Sequence, residues 1–233
     1  GGLMNGMYTG GMYLQRNPNW HVEDSPWKAS QICRMLEKHQ LKPQTVCEIG
    51  CGAGEILSVL REVLPSNVEF HGYDISPQAF ELARQRSRPR LEFHQADLLE
   101  RSEHFDLVLT IDVIEHVEDV FGFLRRLQPK GTHHIFHIPL DMTVSSVLRG
   151  TPLSWARENL GHVHFFSVET ATAILRDAGY TIVDYFYTAG VLELGRQTPR
   201  QRLFRIPTQL AWRFSKALTA KILSGFSVLV LAR

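Results

Sequence analysis

The stretch Val46-Cys47-Glu48-Ile49-Gly50-Cys51-Gly52-Ala53-Gly54-Glu55 decides how this chain folds. An apolar run from Thr45 to Ile49 meets three alternating glycines, and a helical pattern from Glu55 to Leu64 follows and stops at Pro65. A short apolar run ending in glycine reads as a buried strand. The glycines let the backbone turn tightly and admit a ligand where a Cβ would stand. Their G-x-G-x-G spacing differs from the G-x-G-x-x-G of dinucleotide-binding turns, and Glu48 lies two residues upstream. Glycines in a strand–helix turn can also be purely structural, so the rest of the chain has to decide.

Working outward, strand and helix alternate. Upstream, Ser25-Pro26 opens a helix whose Ala29, Ile32, Cys33 and Leu36 share a face. Downstream, Val68 to Tyr73 reads as a strand, and Ser76-Pro77 opens a helix to about Arg86. Leu91 to His94 and Phe105 to Ile111 read as strands, Val120 to Leu127 as a helix, and His133 to Ile138 as a fifth strand. The stretch from Leu140 to Val163 lacks a clean period and reads as an insertion. Ser167 caps a helix ending at Gly179, Thr181 to Tyr187 is a sixth strand, and Phe226 to Ala232 a seventh. Such alternation predicts an α/β fold: a doubly wound sheet with helices on both faces.

Composition limits the function classes. With 233 residues, 44% apolar and 21% charged, the chain suits one sizeable core. A formal net charge of +1 gives no global field for nucleic acid. Cys33, Cys47 and Cys51 lack a framework spacing and read as free thiols of a reducing compartment. No apolar run has the length of a transmembrane segment and no secretory pattern opens the chain, so the expectation is cytoplasmic.

Two further strand ends carry carboxylates. Asp74 ends the second strand, where an acidic residue accepts hydrogen bonds from ribose hydroxyls. Asp97 follows the third, placed to take an adenine amino group while Leu98 backs the ring. The series Glu48–Gly54, Tyr73-Asp74-Ile75-Ser76, Gln95-Ala96-Asp97-Leu98 and Phe105 through His116 resembles the successive motifs of class I S-adenosylmethionine-dependent methyltransferases, in particular the small-molecule, quinone-biosynthesis O-methyltransferase type. Leu127-Gln128-Pro129-Lys130-Gly131 and His162-x-His164-Phe165-Phe166-Ser167 are similar to later segments of that family.

The resemblance implies a Rossmann-like, seven-stranded, mostly parallel sheet with its last strand antiparallel. It implies S-adenosyl-L-methionine as cofactor and S-adenosyl-L-homocysteine as product. Gly50 and Gly52 would meet the cofactor's backbone-facing side, Asp74 its ribose, and Asp97 with Leu98 its adenine. Asp112 and Val113 would lie near its methionine part, with Glu48, Cys51, Gly54 and Ile75 completing the set. It also implies one domain over residues 1–233: a lead-in or lid at 1–42, a cofactor-binding half at 43–139, and variable substrate-side segments at 140–166 and 190–223. A nicotinamide oxidoreductase is disfavoured by the glycine spacing and by Asp97.

The acceptor side is read from histidines and tryptophans. Asp112-x-x-Glu115-His116 stands at the mouth of the fourth strand, and His162 and His164 approach from the loop before the sixth. Histidine titrates where a general base is useful, so these three are the expected base or positioning residues, with no metal. Apart from aspartate in its first position, Asp112-x-x-Glu115-His116 with a later histidine is also similar to the Glu-x-x-Glu-His metal pattern of Hen1-type RNA 3′-end methyltransferases, which keeps a metal-assisted RNA enzyme as an alternative. A non-catalytic cofactor-binding protein is another. His133, His134 and His137 read as packed or hydrogen-bonded strand residues. Trp20, His21 and Trp27 in the lead-in are expected to wall the acceptor, or the tryptophans to anchor their helix to the sheet. The expected partner is a small-molecule acceptor, without a strong nucleic-acid signal. Between 196 and 222, arginines such as Arg196, Arg200, Arg202, Arg205 and Arg213 interleave with large apolar side chains, which suits a peripheral membrane or dimer contact, or a face packed on the core.

Overall fold

A computed structural model describes residues 22–194 and 204–233. Trp20 and His21, with Arg196, Arg200 and Arg202, lie outside the described residues. Seven strands form one sheet: β1 (Thr45–Ile49), β2 (Glu69–Asp74), β3 (Leu91–Gln95), β4 (Phe105–Ile111), β5 (Gly131–Pro139), β6 (Ile182–Thr188) and β7 (Ser227–Ala232). Their order is β3-β2-β1-β4-β5-β7-β6. The first five pair in parallel, and β7 runs antiparallel between β5 and β6. The chain therefore starts mid-sheet, winds to the β3 edge and returns at β4. That reversal opens a crevice at the carboxyl ends of β1 and β4, where ligands of such sheets bind.

Alternation along the strands feeds two cores. Cys47, Val108, Phe136 and Val230 point to one face, under helices α4 (Val120–Leu127) and α7 (Val168–Asp177). Val46, Leu107, Leu109, Ile135 and Leu231 point to the other, under α1 (Ser25–Lys38) and α2 (Glu55–Val63). Burial on both faces is what makes these strands read as continuous apolar runs. Helix α3 (Pro77–Ala83) follows β2, its first turn capped by Ser76 Oγ accepting from Ala79 N at 3.3 Å.

Two stretches depart from the sequence reading. The insertion after β5 is built from short helices, α5 (Val144–Arg149) and α6 (Thr151–Trp155), followed by a π-helical turn Ala156–Leu160. Each is too short to show a helical period. A further short helix, α8 (Gly190–Glu193), follows β6. Within the arginine-rich stretch, the described residues form two helices, α9 (Arg205–Phe214) and α10 (Lys216–Ile222). They break at Ser215, whose side chain accepts from Leu218 N at 3.2 Å and so caps the second.

Candidate functional site

A cavity of about 640 Å³ opens at the crevice between β1 and β4. The glycine loop forms one wall. Gly50, Gly52 and Gly54 all have positive φ, at 68°, 55° and 77°, which a side chain would resist. The amides of Gly50 and Cys51 both donate to the Tyr73 carbonyl, at 2.8 and 3.1 Å, and tie the loop to β2. A Cβ on Gly50 would come within 2.8 Å of Val113 Cγ2, so the loop and the turn after β4 close on each other. Gly54 stands just behind the cavity wall formed by Ala53 and Glu55, and the space of its missing Cβ is filled by Phe93 at 2.4 Å. It serves the seating of α2 on β3.

The acidic side chains arrive at successive strand ends. Asp74 Oδ2 accepts from Gly52 N at 2.9 Å and Oδ1 from Ser76 N at 2.8 Å. Burial raises its pKa, against the lowering effect of those amides. Each oxygen keeps a second lone pair, so ribose hydroxyls need not displace the loop. Asp97 Oδ1 accepts from Leu99 N at 2.9 Å and caps the turn, while Asp97, Ile75 and the fully buried Leu98 line the cavity. Cap and cavity-facing residue are thus the same side chain. Cys51 also lines the cavity, with burial holding its thiol well above the usual range.

Glu48 lies at the cavity floor, almost wholly buried, and its Oε2 has no hydrogen-bond partner. Burial pushes its pKa to about 8; the Lys28 charge pulls down, while those of Asp74 and Asp112 push up. A buried acidic oxygen without a partner is costly unless a ligand supplies a donor or a positive charge. The glycine cradle and this orphaned oxygen together fit a nucleoside carrying a cationic tail.

Across the floor runs a polar chain that the sequence reading missed. Lys28 Nζ meets Asp112 Oδ2 at 2.6 Å. His137 Nδ1 donates to Asp112 Oδ1 at 2.6 Å, and its Nε2 shares a hydrogen bond with Thr188 Oγ1 at 3.0 Å. Asp112 is held at φ 54°, a left-handed conformation rare outside glycine. Burial would raise its pKa, but Lys28 and His137 outweigh it and hold the carboxyl far below the usual range. Burial would lower that of Lys28, and Asp112 reverses it. Lys28 sits one turn before Ile32 on the buried face of α1, the signal that marks it in the sequence. His137 is a hydrogen-bonded strand residue, as read from the sequence, and it also lines the cavity.

Toward the outer end, Glu115, His116 and His162 place one ligand atom each within 4.8 Å of one another. His116 Nδ1 donates to the Gly161 carbonyl at 3.2 Å, and His162 Nδ1 to Asp141 Oδ2 at 2.6 Å. Burial, then His162, lowers the His116 pKa to about 4, so its Nε2 is an unprotonated nitrogen at neutral pH. Glu115 is fully buried with neither oxygen hydrogen-bonded, and burial, then Asp112, pushes its carboxyl well up. His164 is a correction: it is not in the cavity wall, and its Nε2 donates to the Val117 carbonyl at 2.9 Å, stapling one loop to another. Trp27 is a cavity residue that also joins two helices. It lines the cavity, and its indole N–H donates to Glu193 Oε2 at 2.6 Å, tying α1 to α8.

A family model described as a methyltransferase domain matches residues 21–185. The chain belongs to that family. One curated relative, the ubiquinone biosynthesis O-methyltransferase of Azorhizobium caulinodans, is 33% identical over 92 residues, 37% of this chain and 35% of its own length. The chain thus spans about a third of that relative. Among solved structures, magnesium protoporphyrin IX methyltransferase from Synechocystis with bound S-adenosylmethionine covers 98% of this chain and 93% of its own, at TM-score 0.61 and 16% identity. The methyltransferase complexed with the Haloferax volcanii Trm112 activator covers 97% and 95%, at TM-score 0.67 and 18% identity. At such identities these neighbours establish the fold alone. In this methyltransferase domain the family match ends within β6, so α9 and α10 lie beyond it.

Proposed function

We propose that this methyltransferase domain binds S-adenosylmethionine in the β1–β4 crevice and transfers its methyl to a small or amphipathic acceptor, at oxygen. The observation that carries the reading is the meeting of Asp74, Asp97 and Asp112, from the ends of three strands, with the glycine cradle around one cavity. Bound there, the cofactor supplies an electrophilic methyl on a sulfonium. Gly50 and Gly52 admit it against the backbone, Asp74 receives ribose hydroxyls, and Asp97 with Leu98 receives adenine. Glu48 and the Lys28–Asp112 pair face its charged tail.

Methyl transfer to a hydroxyl requires positioning in line with the methyl and removal of one proton. With the cofactor bound, His116 Nε2, unprotonated at neutral pH, would accept that proton while the methyl passes to the acceptor oxygen and its bond to sulfur breaks, leaving a neutral thioether. The Gly161 carbonyl and the edge-on ring of His162 hold the imidazole in place. Oxygen as target is supported by this neutral base and is compatible with the O-methyltransferase relative. Incubation with methyl-labelled cofactor and fractionated metabolite extract, followed by mass spectrometry of labelled products, tests it. Labelled O-methyl products lost in His116→Asn support the reading. Cofactor binding without any labelled product favours a non-catalytic binding protein.

A second reading has a divalent cation at Glu115, His116 and His162, and one observation favours it: an orphaned carboxylate facing two imidazoles whose Nδ1 atoms are anchored by acceptors. It predicts turnover lost to chelator and restored by divalent metal, and its RNA version predicts protection of RNA ends. Chelator-resistant turnover removes it.

A further inference from the structure

Helix α9 is turned the wrong way round for a helix that packs only on its own core. Its inward residues are Thr208 and Trp212, the latter stacked on Phe226 at 4.6 Å. Its outward stripe is Ile206, Leu210 and Phe214, spaced four apart and 69%, 62% and 89% exposed. Helix α10 continues the inversion: Thr219 and Ala220 are buried, while Leu218 and Ile222 face out. Beside it, α5 and α6 expose Val144, Val147, Leu148 and Trp155. Ser224, just after α10, bonds Ser146 Oγ at 2.7 Å and Thr143 Oγ1 at 3.2 Å, joining the two segments. An apolar surface of this extent is matched to another apolar phase.

Charge selects the phase. Among the described residues, α9 and α10 carry Arg205, Arg213, Lys216 and Lys221 and no acidic side chain, in a chain whose net charge is only +1; Lys221 pairs with Glu169, which leaves Arg205, Arg213 and Lys216 on the face. Two copies meeting symmetrically through this face would bring like charges together. An anionic bilayer complements both features, taking the apolar stripe at its acyl boundary and the arginines and Lys216 at its headgroups. At 10 and 7 residues, the helices are too short to cross a bilayer and suit lying in its surface. Leu160, at the end of the turn after α6, and Gly225, beyond α10, both line the cavity. We propose that α9, α10 and the α5–α6 segment form a docking face for anionic phospholipid membrane, with the cavity mouth at its edge. This goes beyond methyl transfer and does not depend on it.

Flotation with phosphatidylcholine vesicles, with and without phosphatidylglycerol, tests the proposal. The expected result is binding to the anionic vesicles alone, weakened by salt, and weakened roughly tenfold or more in Arg213→Glu/Lys216→Glu and in Leu210→Glu/Phe214→Glu. Circular dichroism and S-adenosylhomocysteine affinity should match wild type in both variants, so that loss of docking is distinguished from loss of fold or of the cofactor site. Absence of flotation, equal flotation with neutral vesicles, or a dimer in light scattering that Leu210→Glu/Phe214→Glu dissociates without any vesicle binding, each overturns it.

Discussion

Glu48 is the residue at which burial and charge conflict most openly. In the unfolded chain its carboxyl titrates near 4.5, and in the folded protein near 8. Between those values the unfolded state has released a proton that the native state retains, so stability falls as pH rises. The slope from this one group is about 1.4 kcal/mol per pH unit at its steepest. Urea unfolding of the cofactor-free protein between pH 5 and 8 should therefore show Glu48→Gln with a flatter profile than wild type, and parallel profiles would contradict it. Gly50→Ala combines a left-handed φ with a 2.8 Å approach to Val113. It should cost about 1–2 kcal/mol and weaken cofactor binding. Adding Val113→Ala should recover part of the loss, because the contact is relieved and the φ is not. At this scale the strand-end carboxylates Asp74 and Asp97 were legible, since strand endings place them. Lys28 and His137 were not given their roles, because their pairing with Asp112 joins α1, β4 and β5, which only the packed fold brings together.

Among the elements, helix starts were the most legible, because caps are local chemistry. Ser167 and Thr170 form a reciprocal capping box at α7, with the Ser167 amide donating to Thr170 Oγ1 at 2.9 Å. Ser167→Ala should lower stability by about 1 kcal/mol, read by thermal unfolding, while cofactor affinity stays at the wild-type value. A larger loss with impaired binding would mean that α7 supports the cavity directly. The insertion at 140–163 hid its short helices for want of periodicity. It also hid Asp141, whose bond to His162 crosses 21 residues and orients that imidazole in the cavity wall. The sequence set His164 beside His162 two residues apart, and the loop turned it outward to the Val117 carbonyl.

For the whole molecule, the sheet topology was legible from the alternation of strands and helices plus the family motifs, including the antiparallel β7. The cavity follows from that topology, because the β1–β4 reversal leaves a crevice no crossover covers. The apolar docking face was visible only as a composition, since whether Leu210 and Phe214 face inward depends on which side Trp212 packs. Calorimetric titration of S-adenosylhomocysteine into the wild type and Asp74→Asn tests the cofactor site most directly. Micromolar, one-to-one binding by the wild type is expected, weakened about tenfold or more in the variant through loss of charged hydrogen bonds to the ribose. No binding by the wild type, or equal affinity in a correctly folded Asp74→Asn, would contradict it.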